Sequence, residues 1–121
     1  MDAPMIGIDI VETSRIESKL EKSVMGDLFL SGEIAYAKSQ PNPAQNLAGR
    51  YAAKEAIIKA LGIDGWDPLD VEIVGGGERT GVRLHGAVRE RADELGVDIT
   101  ISMTHLAAIA GAVALAKPRR D

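Results

Sequence analysis

From residue 49 to residue 62 the chain reads GRYAAKEAIIKALG, and that stretch limits the available folds more than any other. At 3.6 residues per turn, Tyr51 and Ile58 flank a Glu55/Lys59 pair on one side, Ala52 and Ala56 flank it on the other, and Ile57 and Ala60 lie behind. A helix that is apolar in nearly every direction belongs inside a domain. The run extends back to Pro43 and stops at Gly62, a residue suited to the left-handed turn that closes a helix. A central helix over 43–61 is therefore expected. The charges it carries need partners, because a buried carboxylate is costly without a cation, a metal or a hydrogen-bond network. For Glu55, Lys59 offers an intrahelical ion pair one turn on. Arg50 and Lys54 form a second charged pair on another face; two cations one turn apart repel, so that face calls for an anion or an acidic neighbour.

Around this helix the periodicities predict a single domain over 1–121. Residues 5–11, MIGIDIV, read as a buried strand with one anomaly, Asp9, which is either at a solvated edge or the partner of a nearby Lys or Arg. Thr13 is in position to cap a helix over 14–24 with three stripes: Ile16, Leu20 and Val24 apolar, Glu17 and Glu21 acidic, and Arg15, Lys19 and Lys22 basic. The basic stripe is a solvated face or a docking face for an acidic partner. Gly26 is expected to break that helix, and Ser31 to cap a short one ending near residue 39. After the central helix come a loop over 63–69, a strand over 70–74, a glycine-rich connection over 75–81 and a return strand over 82–84. Three consecutive glycines without a following Gly-Lys-Ser/Thr suit a turn better than a phosphate cradle. A helix over 85–95 turns Val88, Ala92 and Leu95 inward, and a strand over 98–104 alternates cleanly, with His105 at its end. A small-residue strand returns over 108–116, and 117–121 reads as a frayed tail. This order points to an α+β fold, a mostly antiparallel sheet packed against helices.

Composition removes several classes of function. With no cysteine, disulfides and thiolate metal sites are excluded. A net charge of -4 argues against a general nucleic-acid binder, and four aromatic residues give no base-stacking platform. The longest apolar run, 106–116, is too short to span a bilayer, and the opening MDAPMIGIDIVE lacks the basic segment and apolar core of a secretory signal. A cytoplasmic protein with no membrane partner is expected.

Asp9, Glu55, Lys59 and His105 are then the residues with chemistry to explain. Two carboxylates on separate elements, without thiols, suit a hard cation with oxygen ligands, Mg²⁺ first, which takes one or two carboxylates plus substrate phosphates. A lysine, an arginine and a histidine nearby would complete a diphosphate or phosphomonoester site. A lone histidine is more often structural.

Three blocks together, GIDIVETSRIE at 7–17, GRYAAKEAIIKALG at 49–62 and ISMTH at 101–105, resemble the holo-acyl-carrier-protein synthase family of 4'-phosphopantetheinyl transferases. The resemblance implies that family's fold and its reaction: transfer of the phosphopantetheine arm of coenzyme A to a serine of an apo acyl-carrier protein or a carrier domain, with release of 3',5'-ADP, as a step serving fatty acid synthesis. It implies Asp9 and Glu55 as Mg²⁺ ligands and, with Lys59, as the catalytic set. It places Arg50, Lys54, Lys59, Gly81 and His105 against coenzyme A, and Arg15, with Lys19 and Lys22 beside it, against the carrier. A homotrimer with sites at the subunit interfaces is implied as well. Leu106 after the histidine and Thr80-Gly81-Val82 depart from the family pattern. Two other readings share the charge pattern: a non-catalytic nucleotide-sensing or carrier-docking module, and a Mg²⁺-dependent phosphohydrolase.

Overall fold

A computed structural model describes residues 5–21, 25–76 and 79–120. In chain order its elements are β1 (Met5–Glu12), α1 (Thr13–Glu21), α2 (Met25–Leu28), α3 (Ser31–Lys38), α4 (Pro43–Leu61), a 3-10 turn at Pro68–Asp70, β2 (Val71–Gly76), β3 (Arg79–Leu84), α5 (Gly86–Leu95), β4 (Val97–His105) and β5 (Ile109–Pro118). Strands β1, β5 and β4 form one antiparallel sheet with β5 in the middle, and β2 and β3 form a hairpin.

The central helix runs over the expected residues and closes at Gly62 with φ of 65°. It lies across the inner face of the three-stranded sheet. The middle strand makes this possible by offering only Ala110, Ala112, Ala114 and Ala116 inward, all buried. On β1 the approach is closer still. A Cβ at Gly7 would stand 2.0 Å from the Ala56 carbonyl oxygen and 2.7 Å from the Ala60 nitrogen, so glycine alone fits there. Because strand residues alternate, Asp9 faces the same way as Gly7 and is delivered to α4. The opening Gly-x-Asp is thus a packing site followed by a functional one.

The opposite face of the sheet is uncovered and apolar. Ile6, Ile8 and Ile10 are 70%, 61% and 64% exposed, and Leu115 and Val113 stand beside the first two in register. Leu106 and Ile109 extend the apolar surface at one end.

Several elements differ from expectation for identifiable reasons. Thr13 is the first residue of α1 rather than its cap: it is buried, its N–H bonds to the Ala108 carbonyl, and its Oγ1 has no partner among the described residues. The helix expected to reach 24 is described to Glu21; Lys22 and Val24 lie outside the described residues. Gly26 does not break a helix but sits in one-turn α2. The cap of α3 is Leu30, whose N–H donates to Glu33 Oε1 at 2.9 Å, so Glu33 does the work assigned to Ser31. Asp70 belongs to the 3-10 turn, while Gly75, Gly76, Thr80 and Gly81 are paired ladder positions, which moves the hairpin connection to 77–78, outside the described residues. In the segment read as a tail, Lys117 and Pro118 extend β5, and Arg119 ion-pairs with Asp93 and Asp98, both at 2.9 Å.

Candidate active site

Where β1 crosses α4, Lys59 Nζ donates to Asp9 Oδ1 at 3.0 Å and to the Ile8 carbonyl at 3.1 Å. The lysine that spacing offered to Glu55 is therefore taken by the neighbouring strand. Its side chain is 54% exposed against 16% for Asp9, so the ammonium stands at the surface with room for a further anion. Glu55 instead meets Tyr51, one turn earlier on α4. Burial pushes the Tyr51 phenol up from its ordinary range; the charge of Glu55 and a hydrogen bond to it add, Asp9 adds less, and Arg15 of α1 opposes. Those influences locate Arg15, Tyr51, Glu55 and Asp9 in one electrostatic neighbourhood, and they keep the phenol protonated as a donor to the carboxylate.

The donor set fits a magnesium ion. Asp9 and Glu55 carry carboxylate oxygens, the hard donors such an ion takes, and no group of three His, Asp or Glu side chains that could hold a metal gathers among the described residues. A cation held by two carboxylates keeps positions for water or phosphate oxygens, as Mg²⁺ sites usually do.

Toward the other end of α4 a cleft of about 300 Å³ opens between the helix, the hairpin and β4, with Asn46, Arg50, Gly76, Thr80, Ser102 and His105 in its wall. Arg50 is buried. Its Nε bonds to Asn46 Oδ1 at 3.1 Å, its two terminal nitrogens donate to the Ile73 and Gly75 carbonyls, and its guanidinium lies 4.7 Å over the Tyr36 ring. Burial pushes this group down from its ordinary range, opposed by the charge of Glu33.

Two residues expected against coenzyme A, Lys54 and Gly81, are not among those that line the cleft. Lys54 is fully enclosed; its ammonium donates to Glu33 Oε1 and to the Pro68 carbonyl, both at 2.8 Å, and sits 5.3 Å over the Phe29 ring. An ammonium committed in this way has no face for a ligand. Gly81, on β3, pairs with Val74 of β2, and its neighbour Thr80 is among the residues that line the cleft. His105 does line it, and Arg15 and Lys19 border a shallow exposed groove with Ser14 and Ser18. Lys22 lies outside the described residues.

Neither Glu33 nor Tyr51 is among the residues that the sequence reading assigns to the site. The need of the Arg50/Lys54 face for an anion was the available signal for Glu33, and the Tyr at i–4 to Glu55 was the signal for Tyr51.

A model of the 4'-phosphopantetheinyl transferase superfamily matches residues 5–110. The chain belongs to that superfamily. Among its relatives is a holo-[acyl-carrier-protein] synthase of Moorella thermoacetica, 42% identical over an alignment of 116 residues that covers 90% of each chain. In three dimensions the fold is similar to a Chronobacterium ammoniagenes ACPS-CoA complex, with a TM-score of 0.85 and 26% identity over 98% of this chain and 100% of that one. It is also similar to Helicobacter pylori holo-[acyl-carrier-protein] synthase in complex with coenzyme A, with a TM-score of 0.78 and 29% identity over 93% of this chain and 100% of that one. All of α4 and the whole of β1 fall within the matched residues.

Proposed function

We propose that the protein is a holo-[acyl-carrier-protein] synthase that moves the 4'-phosphopantetheine arm of coenzyme A onto a serine of an apo acyl-carrier protein or carrier domain. The observation that carries this reading is the Asp9–Lys59 ion pair at the β1/α4 crossing, with Glu55 one turn before Lys59 on the helix that also walls the cleft. In the reaction the serine Oγ forms a bond to the phosphorus bearing the pantetheine. The bridging P–O bond breaks, its electron pair leaves with 3',5'-ADP, and the hydroxyl proton goes to a base, for which Glu55 is the nearest candidate. Asp9 and Glu55 would hold Mg²⁺, which when bound neutralises charge on the diphosphate. Lys59, half exposed beside Asp9, offers an ammonium to the same phosphates. Arg50 shapes the cleft for the nucleotide half of coenzyme A, with His105 at its mouth.

The test is a mass measurement on an apo carrier protein. One phosphopantetheine arm should be gained only when coenzyme A and Mg²⁺ are both present, and chelation should stop the gain. Nucleotide release without a carrier would make the protein a hydrolase, and binding without modification would make it a sensing module.

Arg15 and Lys19 on exposed α1 serve the reading as the docking face for an acidic carrier. Reversing both to Glu should raise KM for the carrier by about tenfold or more, with a steep salt dependence in the parent, while KM for coenzyme A stays put. Equal changes in both constants would remove the docking role.

The uncovered face of Ile6, Ile8 and Ile10 is large and apolar enough to call for a partner. A second and third copy of the chain supply one, so we assign a homotrimer with Asp9 close to the joint. Sedimentation should report three times the chain mass, and a monomer at micromolar concentration would defeat the assignment. No helix among the described residues is long and apolar enough to cross a membrane. The proposal includes a cytoplasmic role in fatty acid synthesis.

A further inference from the structure

Glu33 is a fully buried carboxylate outside the cleft's lining, yet it is bonded to β2, the strand that leads into one of the cleft's walls. Its Oε1 accepts from the Leu30 N–H at 2.9 Å and from Lys54 Nζ at 2.8 Å, and its Oε2 accepts from the Ile73 N–H at 3.1 Å. Ile73 belongs to β2 and is gripped from both sides, because its carbonyl accepts from Arg50. Arg50 also takes the Gly75 carbonyl, one residue before Gly76 in the cleft wall.

Helix α3 reinforces this hold with Tyr36, one turn after Glu33. A Cβ on Gly76 would fall 2.1 Å from the Tyr36 hydroxyl, so the hairpin backbone is pressed against that ring, which in turn lies under Arg50. Glu33 and Tyr36 of α3 and Arg50 of α4 thus clamp one strand of the hairpin, and Lys54 holds Glu33. The opposite wall of the cleft, Ser102 and His105, comes from β4, whose place is set independently by the sheet.

We propose that Glu33 is a positioning residue for coenzyme A: by tethering Ile73 and holding Lys54 it fixes the β2–β3 hairpin, and so the gap in which the nucleotide half is bound. The inference rests on the transferase reading and adds a specific demand to it. A residue that merely stabilises the domain would change the fraction folded and leave the constants of the folded molecules alone. A residue that sets the gap changes KM for coenzyme A selectively.

Two variants test this. Glu33→Gln replaces one carboxylate oxygen with a donor, so either Ile73 N–H or Lys54 faces another donor. The paired change Glu33→Leu with Lys54→Met removes the buried ion pair in favour of apolar side chains, an exchange that folds often tolerate, and leaves the Ile73 N–H without its acceptor. Molecules that retain a cooperative melt should show KM for coenzyme A raised about tenfold, with kcat and KM for the carrier within about threefold of the parent. Calorimetric affinity for 3',5'-ADP should fall by a similar factor. Folded variants with unchanged nucleotide affinity, equal rises in both KM values, or failure of both variants to fold would each overturn the positioning role. If the parent itself neither transfers nor binds 3',5'-ADP, the transferase reading is what has failed, and the proposal falls with it.

Discussion

Glu55→Gln should lower kcat by about a thousandfold while the protein melts as the parent does, since loss of a positioned base or charge typically costs ~10²–10⁴-fold. The structure makes this a clean substitution. Glu55 is only partly buried and stands outside the enclosed Glu33/Lys54 pair that supports the core. Glutamine keeps its length and can still accept from the Tyr51 phenol, so shape and that hydrogen bond survive. What disappears is the negative charge, together with the ability to take a proton and the stronger of two ways to hold a cation. Single-turnover transfer at saturating coenzyme A and carrier separates the chemical step from binding. Near-parental kcat at high Mg²⁺ would take Glu55 out of the reaction.

Much of the fold could be read from local pattern, and the reasons are visible in individual elements. Helix α4 was legible end to end because its burial follows from composition alone: Ala48, Ala52, Ala53, Ala56 and Ala60 let the sheet come close, and Gly62 ends it in the left-handed region. Strand β4 was legible because Ile99, Ile101 and Met103 alternate with polar residues. Partnerships that cross between elements were not. An i, i+4 rule pairs Glu55 with Lys59, but it contains no information about β1, which Gly7 brings near enough for Asp9 to take the lysine. For the same reason Arg50 and Lys54 declared a need for an anion without naming Glu33, 21 residues away from Lys54. Glycines 75 and 76 looked like a turn because their ladder pairing and the Tyr36 ring against Gly76 are tertiary facts. At Lys54 the family resemblance pointed to coenzyme A, whereas the ammonium is enclosed and spent on a carboxylate and a carbonyl.

Gly7→Ala is the second change expected to have a large effect, and it acts on stability and on the site together. The added methyl would lie 2.0 Å from the Ala56 carbonyl oxygen and 2.7 Å from the Ala60 nitrogen, both backbone atoms of the most enclosed helix in the domain. Neither can swing aside as a flexible side chain would, so β1 must lift or α4 must shift. Overpacking of this kind costs about 3 kcal/mol, at the upper end of its usual range, and for a domain of this size that lowers Tm by roughly 10 °C. The contrast is Gly49→Ala on the same helix, where a Cβ meets nothing within 4 Å. There the usual gain in helix propensity of up to about 1 kcal/mol should raise Tm. Lifting β1 carries Asp9 with it, two residues along the strand, and pulls Oδ1 away from Lys59. The surviving folded Gly7→Ala molecules should therefore show weaker activation by Mg²⁺, with KM for the carrier unchanged because α1 keeps its exposed Arg15 and half-buried Lys19. A variant as stable as the parent would mean that the β1/α4 contact is looser than its 2.0 Å clash requires. A destabilised variant with normal Mg²⁺ activation would separate Asp9 from the ion.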